Sequence, residues 1–339
     1  MYDKPFKTFD ELLDVLSQRH NLKIQDSEIA KGIITFIPYY DLVNGYKEIL
    51  MDGEEFSDGI DAMTLFLFHV FDHDFQNALF APSVSIENYF KNILAYVLAK
   101  SFGVSIDEYL SYSHYLTRRR LGVNSEVRRD KVIPKLKDIA LHTPDNPTKF
   151  YRHHHNHIPP WILLKNVSFS QSVDLLRLLK RPEKSKVLDF MIPIHDSPVN
   201  RYPILLYILT IVRRCRNTIA HNLKFTSFDC SRYMNNLSKG CLRQLISPYL
   251  LSDEELNSYK YLNGIYGYIV LSLSLIPDKI TKMLVVHRLL STFLLKNDGI
   301  LFSPAETEIR SKYFEGLNIP SDIRERLLAF VNDLCKSIN

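Results

Sequence analysis

The chain contains the stretch Ile204-Leu-Leu-Tyr-Ile-Leu-Thr-Ile-Val-Arg-Arg-Cys-Arg-Asn-Thr-Ile-Ala-His221, which begins apolar and ends basic and polar. No residue in it breaks a helix. At about 100° per residue, an isoleucine-rich stripe occupies one side of this helix. The opposite side carries four polar residues, Arg213, Arg216, Asn217 and His221. Because an unpaired buried charge is costly, these groups must face water, a partner or a ligand.

The overall composition is that of an ordinary folded protein. Of 339 residues, 46% are hydrophobic and 24% are charged, which disfavours disorder. The chain has only 11 glycines, and this favours helices over hairpin-rich sheets. The net charge of +4 is compatible with a polyanionic ligand but not diagnostic of one.

The sequence predicts neither secretion nor membrane insertion. The first residues lead directly into a capped helix at Thr8-Phe-Asp-Glu11. The most apolar run, residues 265–277, is too short to span a bilayer and is expected to form a buried helix. The four cysteines form no C-x-x-C pair, so a reduced, cytoplasmic chain is the simplest interpretation.

Capping boxes and apolar periodicity predict helices along the chain and no convincing strand. Two helices are expected at 60–80 and 86–101, separated at Ala81-Pro82-Ser83. A further helix is expected at 162–179, and the segment 180–186 is expected to separate it from the next element. The predicted fold class is therefore all-α.

A polar, loop-rich insert at about 112–157 is the most basic part of the chain. It supplies most of the predicted RNA-contacting residues, which are Arg118, Arg119, Arg120, Arg128, Arg129, Lys131, Arg152 and Lys224. Such cations neutralise phosphates, and Tyr112, His114 and Tyr115 are of the type that stacks on unpaired bases. A solvated surface balanced by acidic residues is the alternative interpretation.

Four histidines lie within five residues in His153-His-His-Asn-His157. We expect a loop in which neighbouring side chains diverge, and neither a cysteine nor a close carboxylate completes a zinc site. The favoured interpretation is a solvated loop that touches RNA together with Arg152. No metal and no other cofactor is predicted.

Arg216 and His221 have the chemistry that RNA cleavage without a metal requires. A base removes the 2′-OH proton, an acid protonates the leaving 5′ oxygen, and a cation stabilises the phosphorane. Histidine transfers protons near neutral pH, and arginine binds phosphate through its forked guanidinium. Asn217 is spaced to orient either residue. A basic surface stripe that ends in a histidine at the helix terminus explains the same spacing equally well.

Several motifs, in their order along the chain, resemble the bacterial Abi-like family of the AbiD/AbiF type, which is associated with abortive phage infection. They are Lys4-Pro-Phe-Lys-Thr-Phe-Asp-Glu-Leu, Tyr39-Tyr-Asp-Leu-Val-Asn-Gly-Tyr46, Phe71-Asp72, Ile86-Glu87 and Pro159-Pro-Trp. The string Arg216-Asn-Thr-Ile-Ala-His221 is similar to the R-x4–6-H signature of HEPN ribonucleases. Two positions depart from the family pattern: Lys91 is the nearest basic residue where an arginine is common, and Ser170 stands where a glycine is common.

The resemblance implies an HEPN-like helical bundle at residues 1–230 and a C-terminal helical extension at 231–339 packed on it. HEPN proteins dimerise so that two motifs face one metal-independent site. By this resemblance, Arg216, Asn217 and His221 of two chains would form the catalytic site of a homodimer. Glu87 and Arg213 are candidate supporting residues, although a surface carboxylate is the commoner role for a residue such as Glu87.

The sequence therefore predicts a cytoplasmic endoribonuclease toxin of anti-phage defence, which attacks RNA through its own 2′-OH. One alternative is a non-catalytic RNA-binding protein held by a structured, regulatory non-coding RNA. Another is a helical protein-interaction module. Cleavage in EDTA that leaves 2′,3′-cyclic phosphate ends separates the enzyme from both alternatives.

Overall fold

The computed structural model describes residues 5–117, 127–293 and 304–336. These ranges contain eighteen α-helices and one antiparallel hairpin with two-residue strands. The prediction of an all-α fold is confirmed.

The elements follow one another along the chain in three groups. The N-terminal group is α1 (Phe9–Asp14), α2 (Ser27–Phe36), α3 (Tyr39–Val43), α4 (Lys47–Leu50), β1 (Met51–Asp52) and β2 (Glu55–Phe56). The central group is α5 (Ala62–Phe102), α6 (Ile106–Tyr109), α7 (Arg129–His142), α8 (Thr148–His154), α9 (Pro160–Asn166), α10 (Phe169–Leu178), α11 (Arg181–Met191) and α12 (Pro198–Ala220). The C-terminal group is α13 (Lys239–Leu245), α14 (Asp253–Asn257), α15 (Ile265–Leu275), α16 (Lys279–Thr292), α17 (Pro304–Gly316) and α18 (Ile323–Lys336).

The expected break at Ala81-Pro82-Ser83 is wrong, because α5 continues through Pro82 as one helix of 41 residues. Proline removes a backbone donor and disturbs the carbonyl groups of the preceding turn. Here the Leu79 carbonyl accepts hydrogen bonds from the Tyr268 hydroxyl at 2.5 Å and from Ser83 Oγ at 3.2 Å. These side-chain donors satisfy the Leu79 carbonyl, which lies in the turn that the proline disturbs.

Other boundaries also differ from the sequence prediction. The expected helix at 162–179 is divided into α9 and α10, because the backbone is extended at Val167 and Ser168 starts α10 with a capping box. The supposed linker at 180–186 belongs mostly to α11, which has a proline in its first turn. The insert at about 112–157 contains the regular helices α7 and α8.

Helices α5 and α12 lie at the centre of the fold. Helix α12 packs against α5, α11 and α15. Every side chain from Tyr207 to Val212 is buried, so the middle of α12 is surrounded by protein rather than being apolar on one side only. Most of its half-buried polar residues lie in the last turns, between Arg213 and Thr218. The architecture therefore leaves the end of α12 accessible.

The C-terminal helices are packed directly on α5. Besides the contact of Tyr268 in α15 with Leu79, the hydroxyl of Tyr313 in α17 donates to the Asp72 carboxylate of α5. One hydrophobic core includes buried residues from both parts of the chain. None of the helices in the described ranges has the length and apolar character needed to cross a membrane.

Candidate active site

The candidate active site lies where the C-terminal end of α12 meets α5. Arg216 and Asn217 occupy the last turn of α12 and are half-buried, whereas His221 follows the helix as its C-cap and is exposed. Asn222 then adopts a left-handed backbone with φ of 53°, which asparagine tolerates better than most residues. The chain therefore turns away from the helix immediately after His221.

The Arg216 guanidinium is held by two neighbours and remains partly accessible. Its Nη1 donates to Asn217 Oδ1 at 3.2 Å, and its Nε lies 3.9 Å from Glu87 Oε2. That Nε is buried and has no hydrogen-bond partner in the described part of the chain. Asn217 thus orients Arg216, one of the two roles expected for it.

Glu87 is not an ordinary surface carboxylate. Its side chain is only 13% exposed and lies between two cations, Arg216 and Lys91, whose Nζ is 2.7 Å from Glu87 Oε1. Arg213, the other candidate supporting residue, donates from Nη1 to Ser170 Oγ at 3.2 Å. Both positions at which the sequence departs from the family pattern, Lys91 and Ser170, therefore contact residues of the candidate site.

The His221 ring is available to a ligand. No hydrogen bond or ion pair joins it to another residue within the described ranges, and the residue is exposed. Its backbone N–H donates to the carbonyl of Asn217 at 3.0 Å, which fixes the main chain at this point. The imidazole can therefore exchange protons with a bound molecule without first breaking an internal contact.

The residues that follow His221 are anchored to the N-terminal part of the fold. Asn222 Nδ2 donates to Asp41 Oδ2 at 3.2 Å. Lys224 Nζ donates to the Tyr46 hydroxyl at 2.6 Å and lies 3.3 Å from Asp72 Oδ2. The motif from Tyr39 to Tyr46 thus positions the segment that carries His221. The spacing of residues in the sequence does not predict this contact, because the two segments are far apart in the chain.

Lys224, predicted as an RNA contact, is occupied in a buried ion pair. Its side chain is 9% exposed, and that of Asp72 is fully buried. The Asp72 carboxylate also accepts hydrogen bonds from Tyr46 at 2.7 Å, from Gln76 at 2.9 Å and from Tyr313. This network, which we call the Asp72 cluster, joins α5 to the segment after α12 and to α17.

His69 lies at the edge of the Asp72 cluster and is itself buried. Its Nδ1 is 3.2 Å from the Tyr46 hydroxyl, and its ring packs against His73 with the centroids 4.4 Å apart. Burial, reinforced by the positive charge of Lys224, lowers the pKa of His69 to about 4. The histidine is therefore neutral at physiological pH.

A cleft of about 390 Å³ with basic walls lies among α7, α10 and α12. Five cations line it, namely Arg128, Lys131, Lys135, Arg177 and Arg213. Asp174 is its one acidic lining residue within the described ranges, and burial raises the pKa of that carboxyl. This surface, the basic cleft, unites Arg128 and Lys131 from the insert with Arg213 from the candidate site.

The other predicted RNA contacts are dispersed. Arg129 donates to the Tyr112 carbonyl at 3.3 Å and stacks over its ring. Arg152 donates to the carbonyls of Ala140 and Thr143 at 3.0 and 2.8 Å, and so caps the end of α7. Arg118, Arg119 and Arg120 lie outside the described residues.

The histidine-rich segment is partly helical rather than a loop, because His153 and His154 belong to the last turn of α8. The rings of His154 and His155 pack against Phe150 and Tyr151, in each case with centroids 4.4 Å apart. Within the described ranges, no group of three or more histidine, cysteine, aspartate or glutamate side chains is arranged to hold a metal ion.

Comparison with known proteins identifies the family. The profile described as Abi-like protein matches residues 32–226, more than half of the chain. The match includes α5, the motif from Tyr39 to Tyr46 and the end of α12. Neither the curated proteins nor the solved structures gave a match to this chain. The chain belongs to the Abi-like protein family.

Proposed function

We propose that this protein is a metal-independent endoribonuclease toxin that acts in abortive-infection defence. The supporting observation is the arrangement at the end of α12, where an arginine held by Asn217 lies in the turn before an exposed histidine. Membership of the Abi-like family supports the association with phage defence. The proposal assigns phosphate binding to Arg216 and proton transfer to His221.

The reaction favours a homodimer. The 2′-OH must lose a proton while the 5′ oxygen gains one, and a single imidazole cannot serve as base and acid in the same step. Two chains would supply two His221 rings and two Arg216 guanidiniums to one site. The exposed position of His221 at the end of a rigid helix is compatible with such pairing.

The basic cleft supports an RNA substrate. Five cations around one cavity attract a chain of phosphates, and the attraction weakens as salt concentration rises. Arg213 lines this cleft from the same helix that carries Arg216, one turn further on. A strand whose phosphates bind in the cleft would therefore extend toward the proposed catalytic residues.

The decisive variant is His221→Ala. Removal of the proton-transferring group should lower RNA cleavage by about 10²- to 10⁴-fold. The fold should be retained, because the ring is exposed and makes no hydrogen bond or ion pair with the described residues. Cleavage is measured in EDTA with analysis of the product ends, for which 2′,3′-cyclic phosphates are expected. His195→Ala, at another exposed histidine, is the matched control.

Undiminished cleavage by His221→Ala would contradict the proposed mechanism. The basic cleft also favours a second candidate function, namely RNA binding without catalysis, for example to a structured non-coding RNA. In that case the unaltered protein would bind RNA in a salt-dependent manner and leave it intact. The two functions therefore give different results in the same pair of assays.

A further inference from the structure

A second cleft, of about 630 Å³, lies between α5 and α9. We call it the Trp161 cleft. Its wall on the α5 side carries Asn88, Tyr89, Lys91 and Asn92, and its wall on the α9 side carries Trp161 and Lys165. None of these residues except Lys91 entered the description of the candidate active site.

The cleft offers an exposed aromatic surface. Trp161 is 46% exposed although it is a large apolar side chain, and it follows Pro159 and Pro160, which start α9. Proline at a helix start restricts the backbone that carries the indole. An exposed aromatic ring gains free energy when another flat ring stacks on it.

Polar groups stand opposite this aromatic surface. Asn88 and Asn92 are both exposed and are separated by one turn of α5, so their carboxamides lie on the same side of the helix. Each carboxamide carries hydrogen-bond donors and an acceptor, which match the edge of a nucleobase. Lys165 adds a positive charge at the rim, on an exposed side chain.

The Trp161 cleft is linked to the candidate active site through two ion pairs. Lys91 lines the cleft, and its ammonium is 2.7 Å from the Glu87 carboxylate. Glu87 in turn lies 3.9 Å from Arg216. The cleft therefore adjoins the ion-paired residues of the candidate active site.

We propose that the Trp161 cleft binds an unpaired base of the RNA substrate, stacked on the indole and hydrogen-bonded to Asn88 or Asn92. An aromatic face, amide groups and a nearby cation are the features that recognise a splayed-out base and its phosphate. A base inside a duplex has no free face to stack. The inference rests on the proposed function and deepens it, because it assigns a single-stranded substrate.

The chain provides its own probe, since Trp161 is its one tryptophan. Tryptophan fluorescence is followed while the His221→Ala protein, which should cleave RNA far more slowly, is titrated with a short single-stranded RNA. We expect quenching by this RNA, and much weaker quenching by the same RNA with abasic sites or by a blunt duplex. Binding of all three is measured independently by anisotropy of a labelled strand.

Variants of the cleft provide a second measurement. Trp161→Ala should weaken binding of the single strand by about 5- to 150-fold, the range expected for the loss of one stacked base. Trp161→Phe keeps an aromatic face and should retain most of the affinity. Tyr249→Ala, which removes an exposed aromatic ring outside the cleft lining, is the matched control.

Several outcomes would overturn the inference. One is binding of single-stranded RNA with unchanged tryptophan emission, and another is equal quenching by the abasic and duplex ligands. Absence of RNA binding would overturn it as well. Quenching by the single strand, together with no cleavage by the unaltered protein, would instead remove the proposed nuclease activity and leave the base site in place.

Discussion

Two cation–carboxylate pairs join α5 to the end of α12 and to the segment that follows it. The two pairs differ in distance, in exposure and in the number of surrounding hydrogen bonds. Lys224 and Asp72 are 3.3 Å apart, and their side chains are 9% and 0% exposed. Arg216 and Glu87 are 3.9 Å apart, with side chains 39% and 13% exposed. The first pair is enclosed by further hydrogen bonds, and the second is open.

Under the proposed function, this difference separates an anchoring pair from a pair at the reacting site. A buried charge pair is stable only if its remaining hydrogen-bonding capacity is satisfied, and Tyr46, Gln76 and Tyr313 satisfy that of Asp72. The Asp72 cluster therefore fixes the chain beside His221. The Arg216 side chain, in contrast, is 39% exposed, as the proposed binding of a phosphate requires.

The largest effect on stability is expected from Asp72→Ala. This variant leaves the Lys224 ammonium buried without its counter-ion and removes the acceptor of three other side chains. The free energy of unfolding should fall by about 3–5 kcal/mol. Urea denaturation followed by circular dichroism measures the loss.

A second substitution tests whether the uncompensated charge is the cause. Addition of Lys224→Met to Asp72→Ala removes the remaining buried charge and should recover part of the stability. A double variant as unstable as Asp72→Ala alone would show that the hydrogen bonds to Asp72, and not its charge, dominate the Asp72 cluster.

The pH dependence of stability is the next effect in size. The pKa of His69 is about 4 in the folded chain against an ordinary value of 6.5. As the pH falls between these values, the unfolded chain binds a proton that the folded chain does not, so the free energy of unfolding decreases. The charged and titratable groups that face His69 are Tyr46, Asp72, His73 and Lys224. The total loss should be about 2–3 kcal/mol.

The measurement compares urea denaturation at about pH 7.5 and about pH 4.5. His69→Gln has no imidazole to titrate, so its stability should depend less steeply on pH over this interval. The carboxyl groups that titrate in this interval are present in both proteins, so their contribution cancels when the two pH dependences are compared. Identical pH dependence of the two proteins would contradict the assigned role of His69.

The sequence predicts the pattern of α12 but not the ion pairs that hold its end. The apolar and polar parts of α12 follow from residue order, because helical periodicity is a local property. The ion pair of Lys224 with Asp72 joins residues far apart in the chain, and nothing in a single sequence marks that contact. Lys224 was therefore expected to contact RNA, whereas the fold buries its side chain.

The same reasoning explains the errors at Pro82 and Glu87. Local rules correctly treat proline as unfavourable inside a helix. A tertiary contact, from the Tyr268 hydroxyl to the Leu79 carbonyl, lies in the turn before Pro82, and local rules cannot predict it. From the sequence alone, a surface carboxylate is the commoner role for a residue such as Glu87. Its observed position between Lys91 and Arg216 depends on the packing of α5 against α12. Residue order thus predicts the polar end of α12, whereas the contacts that position it depend on packing between segments far apart in the chain.

The smallest effect on stability is expected from Glu87→Gln, which tests the role of the more exposed ion pair, Arg216 with Glu87. The substitution keeps the shape of the side chain but weakens two contacts, the long one to Arg216 and the 2.7 Å ion pair with Lys91, which is nearly buried. Because the amide oxygen can still accept a hydrogen bond from Lys91, the free energy of unfolding should fall by only about 1–2 kcal/mol. As a positioning residue, Glu87 should instead affect turnover. Loss of its charge leaves Arg216 less well directed and should lower kcat by up to about 100-fold.

Affinity for RNA distinguishes this role from a merely structural one. Removal of a negative charge beside Arg216 and Lys91 makes the site more positive, so RNA should bind Glu87→Gln at least as tightly as it binds the unaltered protein. Lys91→Met, which removes the other partner of Glu87, is the matched control and should leave kcat closer to its original value. The contrary result would be a lower affinity of Glu87→Gln for RNA with unchanged kcat. Glu87 would then contribute to RNA binding and not to the orientation of Arg216, and the proposed difference between the two ion pairs would be wrong.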